Sequence, residues 1–143
     1  MMIERMQDPE MIEKEIWGLK ETFSDLIEHV DIGEYSKKIA EHANVYILRE
    51  EVTCGLEAIY VNDQEHKTAY VTLFGISATY RRKHLGTRLF DHCVQEAVAC
   101  GMRKLKLEVR KDNDAALGFY LREGLKILGD SDEEHYYMGK TIE

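Results

Sequence analysis

Apolar residues recur at three- and four-residue intervals from Ile12 through Ile16, Leu19, Phe23, Leu26, Ile27 and Val30. That spacing predicts a helix with one buried face. Asp8-Pro9 supplies its start, with Asp8 as cap and Pro9 at the first helical position, where its missing N–H costs nothing. Asp31, followed three residues later by Glu34, forms a capping box for a second helix that buries Tyr35, Ile39 and Ala43. The period then changes. Val45–Leu48 is apolar and β-branched, Glu50-Glu51 makes a turn, and Val52–Val61 reads as a second strand. After the polar loop Asn62–Lys67, Thr68–Ile76 reads as a third. The short connections predict an antiparallel meander. Leu85–Cys100 returns to helical spacing, with Leu85, Leu89, Cys93, Val94, Ala97 and Val98 on one face and Gly101 to end it.

Leu105, Leu107 and Val109 alternate, so Lys104–Arg110 is predicted as a strand. Asn113 caps a helix running to Arg122, which Gly124 ends. Leu125–Leu128 and His135–Met138 form a closing hairpin. The expected fold is α+β: a mixed, mostly antiparallel sheet flanked by helices. The 143 residues fit one domain spanning 1–143, large enough to bury a core without a disulfide or metal staple.

Charge adds a second layer. The chain carries −8 overall, yet residues 81–111 hold nine basic side chains against three acidic ones. An acidic protein with one basic stretch is not the footprint of a nucleic-acid binder; a compact polyanion held at one place suits it better. Three cysteines without a Cys-x-x-Cys pair, together with scattered histidines, give neither a disulfide framework nor metal-ligand spacing. No apolar run reaches the roughly 20 residues of a membrane helix, and residues 1–10 lack the apolar segment of a signal peptide. The chain reads as cytoplasmic, without a membrane partner.

The chemistry concentrates in Ile76-Ser77-Ala78-Thr79-Tyr80-Arg81-Arg82-Lys83-His84-Leu85-Gly86-Thr87. A strand ends there, a basic loop follows, and a helix begins at a glycine. The first N–H groups of a helix have no intrahelical acceptor, and the helix dipole favours an anion beside them. A phosphate fits that position. A second motif lies downstream: Asn113, Ala116, Phe119 and Tyr120, then Gly124, preceded by the strand Leu107-Glu108-Val109. Together the two segments resemble the GNAT superfamily of N-acetyltransferases. The first is similar to the family's (Arg/Gln)-x-x-Gly-x-Gly loop, with His84 in place of its first glycine. The second is similar to its Asn-x-x-Ala-x-x-Phe-Tyr helix. Two motifs in order, in a resemblance covering roughly three-quarters of the chain, are far more specific than either alone.

The resemblance implies an acetyl-CoA-dependent N-acetyltransferase acting on a primary amine of a small molecule or peptide, as a monomer or homodimer. It implies that the pyrophosphate of acetyl-CoA lies on Arg81, Arg82, Lys83, His84, Leu85, Gly86 and Thr87. The pantetheine arm follows the strand end Phe74, Gly75 and Ile76, with the Ile76 N–H facing the thioester oxygen. Asn113, Ala116 and Phe119 complete the cofactor site. Tyr120 is implied as general acid for the CoA thiolate, a role that a phenol pKa near 10 makes feasible. The family often carries a basic carboxylate on its fourth strand, where this sequence has Tyr70. Glu57, Glu108 and His66 remain as bases, with Glu108 named first because its strand borders the acetyl group. The acceptor cleft would lie between the first helices, carrying Asp25, Glu28, Asp31 and Glu34, and the last hairpin, carrying Asp130, Asp132, Glu133 and Glu134. If those acids face one cleft, their field favours a cationic amine. The competing reading is a catalytically silent acetyl-CoA-binding or partner-docking module of the same fold.

Overall fold

The computed structural model describes residues 2–143, without the side chains of Arg82 and Lys83. Its centre is a seven-stranded sheet in the order β1-β2-β3-β4-β5-β7-β6. The strands are β1 (Met2–Arg5), β2 (Asn44–Arg49), β3 (Thr53–Tyr60), β4 (Thr68–Ile76), β5 (Lys104–Arg110), β6 (Lys126–Asp130) and β7 (His135–Thr141). Every neighbouring pair is antiparallel except β4 and β5, which run parallel. The helices are α1 (Pro9–Gly18), α2 (Ser24–His29), α3 (Ile32–His42), α4 (Leu85–Ala99) and α5 (Asp114–Arg122).

The two faces of the sheet bury different sets. Ile12 and Ile16 of α1 and Ile39 of α3 pack on Ile47, Leu56, Ala58 and Leu73. On the other face Phe90, Cys93 and Ala97 of α4 and Tyr120 of α5 pack on Val71, Leu105, Leu107, Val109 and Met138. Strand alternation sends successive residues to opposite faces, which is why Leu105, Leu107 and Val109 share one cluster while Glu108 points away from it.

Three features differ from the pattern-based expectation. The apolar series from Ile12 to Val30 is broken into α1 and α2 by a turn after Gly18, whose lack of a side chain weakens the helix there. The turn brings Phe23 over β4. The basic loop is itself ordered as a 3-10 helix, Ala78–Lys83. The N-terminal residues, with little alternation of their own, form β1 by pairing Met2–Arg5 with Tyr46–Arg49.

Candidate active site

The parallel pairing of β4 and β5 is short. It runs from Thr68–Lys104 to Val71–Leu107, after which β4 continues to Ile76 and β5 to Arg110 without further pairs. The cause lies in β4. Ala58 pairs with Leu73 but Ile59 with Val71, so Thr72 is an extra residue and the strand bends there. Beyond the bend Ser77 N–H donates to Cys54 O at 2.8 Å, which fixes the ladder's alternation. Residues 73, 75 and 77 turn their backbone groups to β3; residues 74 and 76 turn theirs to the side β5 has vacated. Side chains replace the missing strand at two carbonyls. Arg81 Nε donates to Ile76 O at 3.0 Å, and the Tyr35 hydroxyl lies 3.2 Å from Thr72 O and 3.0 Å from Thr72 Oγ1.

Above this gap α4 begins at His84, which takes the left-handed conformation at φ 59° and ψ 18° and offers no side-chain cap. The long helices α1, α3 and α5 are capped instead by the side chains of Asp8, Asp31 and Asn113. The α4 N–H groups at Leu85, Gly86 and Thr87 therefore stay available to an external acceptor. A cavity of about 510 Å³ opens in front of them. It collects Phe74, Gly75 and Ile76 from β4, Arg81, His84, Gly86 and Thr87 from the helix start, and Asn113, Ala116, Phe119 and Tyr120 from α5. Leu85 does not line the cavity; its side chain is buried with Leu48, Ile76 and Leu89. The side chains of Arg82 and Lys83 lie outside the described residues.

The aromatic wall of the cavity is tightly built. Phe74 stacks on Phe119 at 5.8 Å between centroids, and Phe90 meets Phe74 and Phe119 edge-on at 5.5 and 5.9 Å. Tyr120 lies 5.4 Å from Phe119 and 5.9 Å from Phe90. Burial, with a lesser contribution from Cys93, pushes its phenol well above the ordinary range, so Tyr120 keeps its proton. Among the described residues its hydroxyl has no hydrogen-bond partner. Gly75 lies beneath the α1–α2 turn: a Cβ there would stand 2.7 Å from Phe23 Cε1 and 2.8 Å from Thr22 Cγ2. Only glycine lets that turn close over the end of β4.

The family model for the acetyltransferase (GNAT) family matches residues 5–125. The chain belongs to the GNAT acetyltransferase family. A curated relative, the probable N-acetyltransferase san of Drosophila melanogaster, is 26% identical over 111 residues, which make up 77% of this chain and 56% of the relative. The chain thus spans about half the length of that relative. Among solved structures, an aminoglycoside 6'-acetyltransferase type Ii superposes with a TM-score of 0.81 at 17% identity, covering 100% of this chain and 98% of that one. An aminoglycoside 6'-N-acetyltransferase complexed with coenzyme A gives 0.80 at 15%, with coverage of 100% and 98%. At these identities the structures establish the fold.

The GNAT sheet has a second side at the gap. Tyr70, Glu108 and Tyr137 point to the face that carries α1 and α3, opposite the cavity, with Glu108 directly across from Tyr137 in the β5–β7 ladder. Glu108 is the first residue of β5 beyond its last pair with β4. It is exposed and accepts a hydrogen bond from the Ser131 hydroxyl. Burial and then the Glu108 charge raise the Tyr70 phenol out of its usual range. The two other carboxylate or imidazole candidates lie elsewhere. Glu57 is fully buried under α4 against His92, and His66 sits in the β3–β4 turn beside Asp63.

The acids expected to face one cleft divide. Asp31 caps α3, Glu34 pairs with Lys37, Asp130 with Lys111, and Asp132 with His135. Asp25 and Glu134 do converge, but on Arg110. Short-range partners within each loop explain most of the run. Sequence patterns also missed Thr22, Arg122 and Glu123 as cavity residues. Arg122, one turn beyond Phe119, was visible in the helical period; Thr22 was not, because its place depends on the α1–α2 turn reaching Gly75.

Proposed function

We propose that this chain transfers the acetyl group of acetyl-CoA to a primary amine by direct attack across the β4–β5 gap. The single observation that carries the reading is the juxtaposition at that gap. An uncapped helix start and an apolar, aromatic-walled cavity lie on one face, and an exposed carboxylate, Glu108, lies on the other. The residues fit the cofactor. The cavity has room for a pantetheine arm, and the N–H groups of Leu85, Gly86 and Thr87, with Arg81 beside them, suit a pyrophosphate. Bound there, acetyl-CoA supplies an activated thioester.

The chain's own groups do the rest. The Ile76 N–H, turned toward the gap, is placed to donate to an oxyanion. Tyr120 is placed to donate from its hydroxyl at the cavity wall. Its raised pKa favours a hydrogen bond to a departing thiolate over complete proton transfer. Glu108 is placed to take a proton from an incoming ammonium. Glu108, Asp25, Asp112 and Glu134 outnumber Arg110 and Lys106 near this face, which supports a cationic amine as acceptor.

The test is a screen of polyamines, aminosugars, amino acids and peptides with acetyl-CoA, read as free thiol. Amine-dependent thiol release, strongest with cationic acceptors, is the expected result. Tight CoA binding with no release for any amine would overturn catalysis and leave the silent binding module.

A further inference from the structure

The acceptor side is bordered by α2 and by the turn between β6 and β7, and one side chain joins them. Arg110 ends β5. Its Nε and Nη2 grip Asp112 at 3.1 and 3.3 Å, a forked pair that fixes the guanidinium plane. Nη1 is thereby aimed at two carboxylates from opposite directions: Glu134 Oε2 of the turn at 3.3 Å and Asp25 Oδ1 of α2 at 3.5 Å. The two sides are held unequally. The turn is tied to β5 by other bonds as well, Lys111 Nζ to Asp130 at 3.0 Å, Lys111 N–H to Glu134 O at 2.8 Å, and the Ser131 hydroxyl to Glu108. For α2, Asp25–Arg110 is the one side-chain hydrogen bond or ion pair to the rest of the chain among the described residues. None of its residues is fully buried.

We propose that Arg110 is a positioning residue for the acceptor: by holding Asp25 of α2 toward Glu134 of the β6–β7 turn, it sets the width of the acceptor entrance. The inference rests on the reading that the amine enters on this face. Arg110 touches neither the cavity nor the reacting atoms and acts only through α2. The Asp25 contact is the longest of the four, and Asp25 is half exposed, so this is the bond that gives when the entrance widens.

The test compares wild type with Arg110→Gln, Asp25→Asn and the double variant. Amide exchange over residues 24–29 is measured together with steady-state kinetics on the best amine of the screen. Each single variant is expected to speed exchange in α2 while leaving β7 unchanged. Each should raise the acceptor KM about two- to fivefold, the range an exposed pair supports, with the acetyl-CoA KM unmoved. The double variant should resemble Arg110→Gln alone, because Asp25–Arg110 is the contact the two changes share. Asp25→Asn, at an exposed site, guards against a folding defect in Arg110→Gln. Wild-type α2 exchange and acceptor KM in Arg110→Gln, or additive effects in the double, would overturn the positioning role alone. A wild type that acetylates no amine would overturn the functional reading, and this inference with it.

Discussion

His92 Nδ1 lies 2.9 Å from Glu57 Oε2 in a hydrogen bond that joins the middle of α4 to β3 beneath the helix whose first turn faces the cavity. The carboxylate is fully buried, and its other oxygen has no partner among the described residues. Tyr46 lies edge-on to the His92 ring at 4.6 Å and donates its hydroxyl to Glu96, whose carboxylate also lies 3.8 Å from His92 Nε2.

This cluster predicts a definite pH dependence of stability. Burial raises Glu57 from 4.5 to about 7, only partly offset by His92, while the bond to Glu57 raises His92 above 6.5. Both shifts mean that the folded chain binds more protons than the unfolded chain. The contribution is therefore present below about pH 4.5 for Glu57 and below 6.5 for His92, and is lost as pH rises through the folded values. Stability should fall from pH 5 to 8 by an amount on the order of 2 kcal/mol from this cluster. Glu57→Gln removes the titrating carboxyl and should flatten that fall. Denaturant melts at several pH values check it; parallel wild-type and Glu57→Gln profiles would contradict it.

Tyr120 has a separable prediction. Its ring packs with Phe74, Phe90 and Phe119, and its hydroxyl has no partner among the described residues, so Tyr120→Phe keeps the packing and removes only the donor. Turnover should drop on the order of 10- to 100-fold, with acetyl-CoA affinity nearly unchanged. Wild-type turnover in the variant would exclude Tyr120 as the thiolate's donor.

His84 is a strained position. A non-glycine residue at φ 59° costs roughly 1 kcal/mol, part of which glycine returns to the unfolded chain as entropy. His84→Gly should therefore stabilise the protein by about 0.5 kcal/mol, read as a slightly higher Tm. A Tm lowered by several degrees would mean that the imidazole makes a stabilising contribution larger than the strain.

The parts of this molecule that follow from local pattern were legible in the sequence, and those that depend on distant partners were not. The alternation in Lys104–Arg110 and the caps Asp8, Asp31 and Asn113 predicted elements that occur as expected. The paired motifs placed Gly86 and Phe119 in one site, and their contact across the cavity is 3.4 Å from a Cβ built at Gly86. The break between α1 and α2 was hidden because Leu19 and Phe23 continue the helical period; what moves Phe23 is the bare backbone at Gly75, fifty-two residues away. The acidic run divides for a similar reason: Asp31, Glu34, Asp130 and Asp132 each have a partner of their own, whereas Asp25 and Glu134 meet at Arg110. Arg110, which unites Asp25 with Glu134 across the sheet, gave no signal in a linear reading.

The account stands most directly on the start of α4. A Cβ at Gly86 would stand 3.4 Å from Phe119 Cε1 and 3.8 Å from Ile76 Cγ1, ordinary contacts with two residues that line the cavity, so Gly86→Val adds bulk at the cavity wall with little strain. Calorimetric titration of CoA into wild type and Gly86→Val, with Tm measured on both, isolates the site from the fold. The structure predicts one CoA per chain for wild type and at least a roughly tenfold loss of affinity in Gly86→Val, about 1.4 kcal/mol, at a nearly unchanged Tm. Equal CoA affinity in the two proteins would contradict the placement of the cofactor on this helix start.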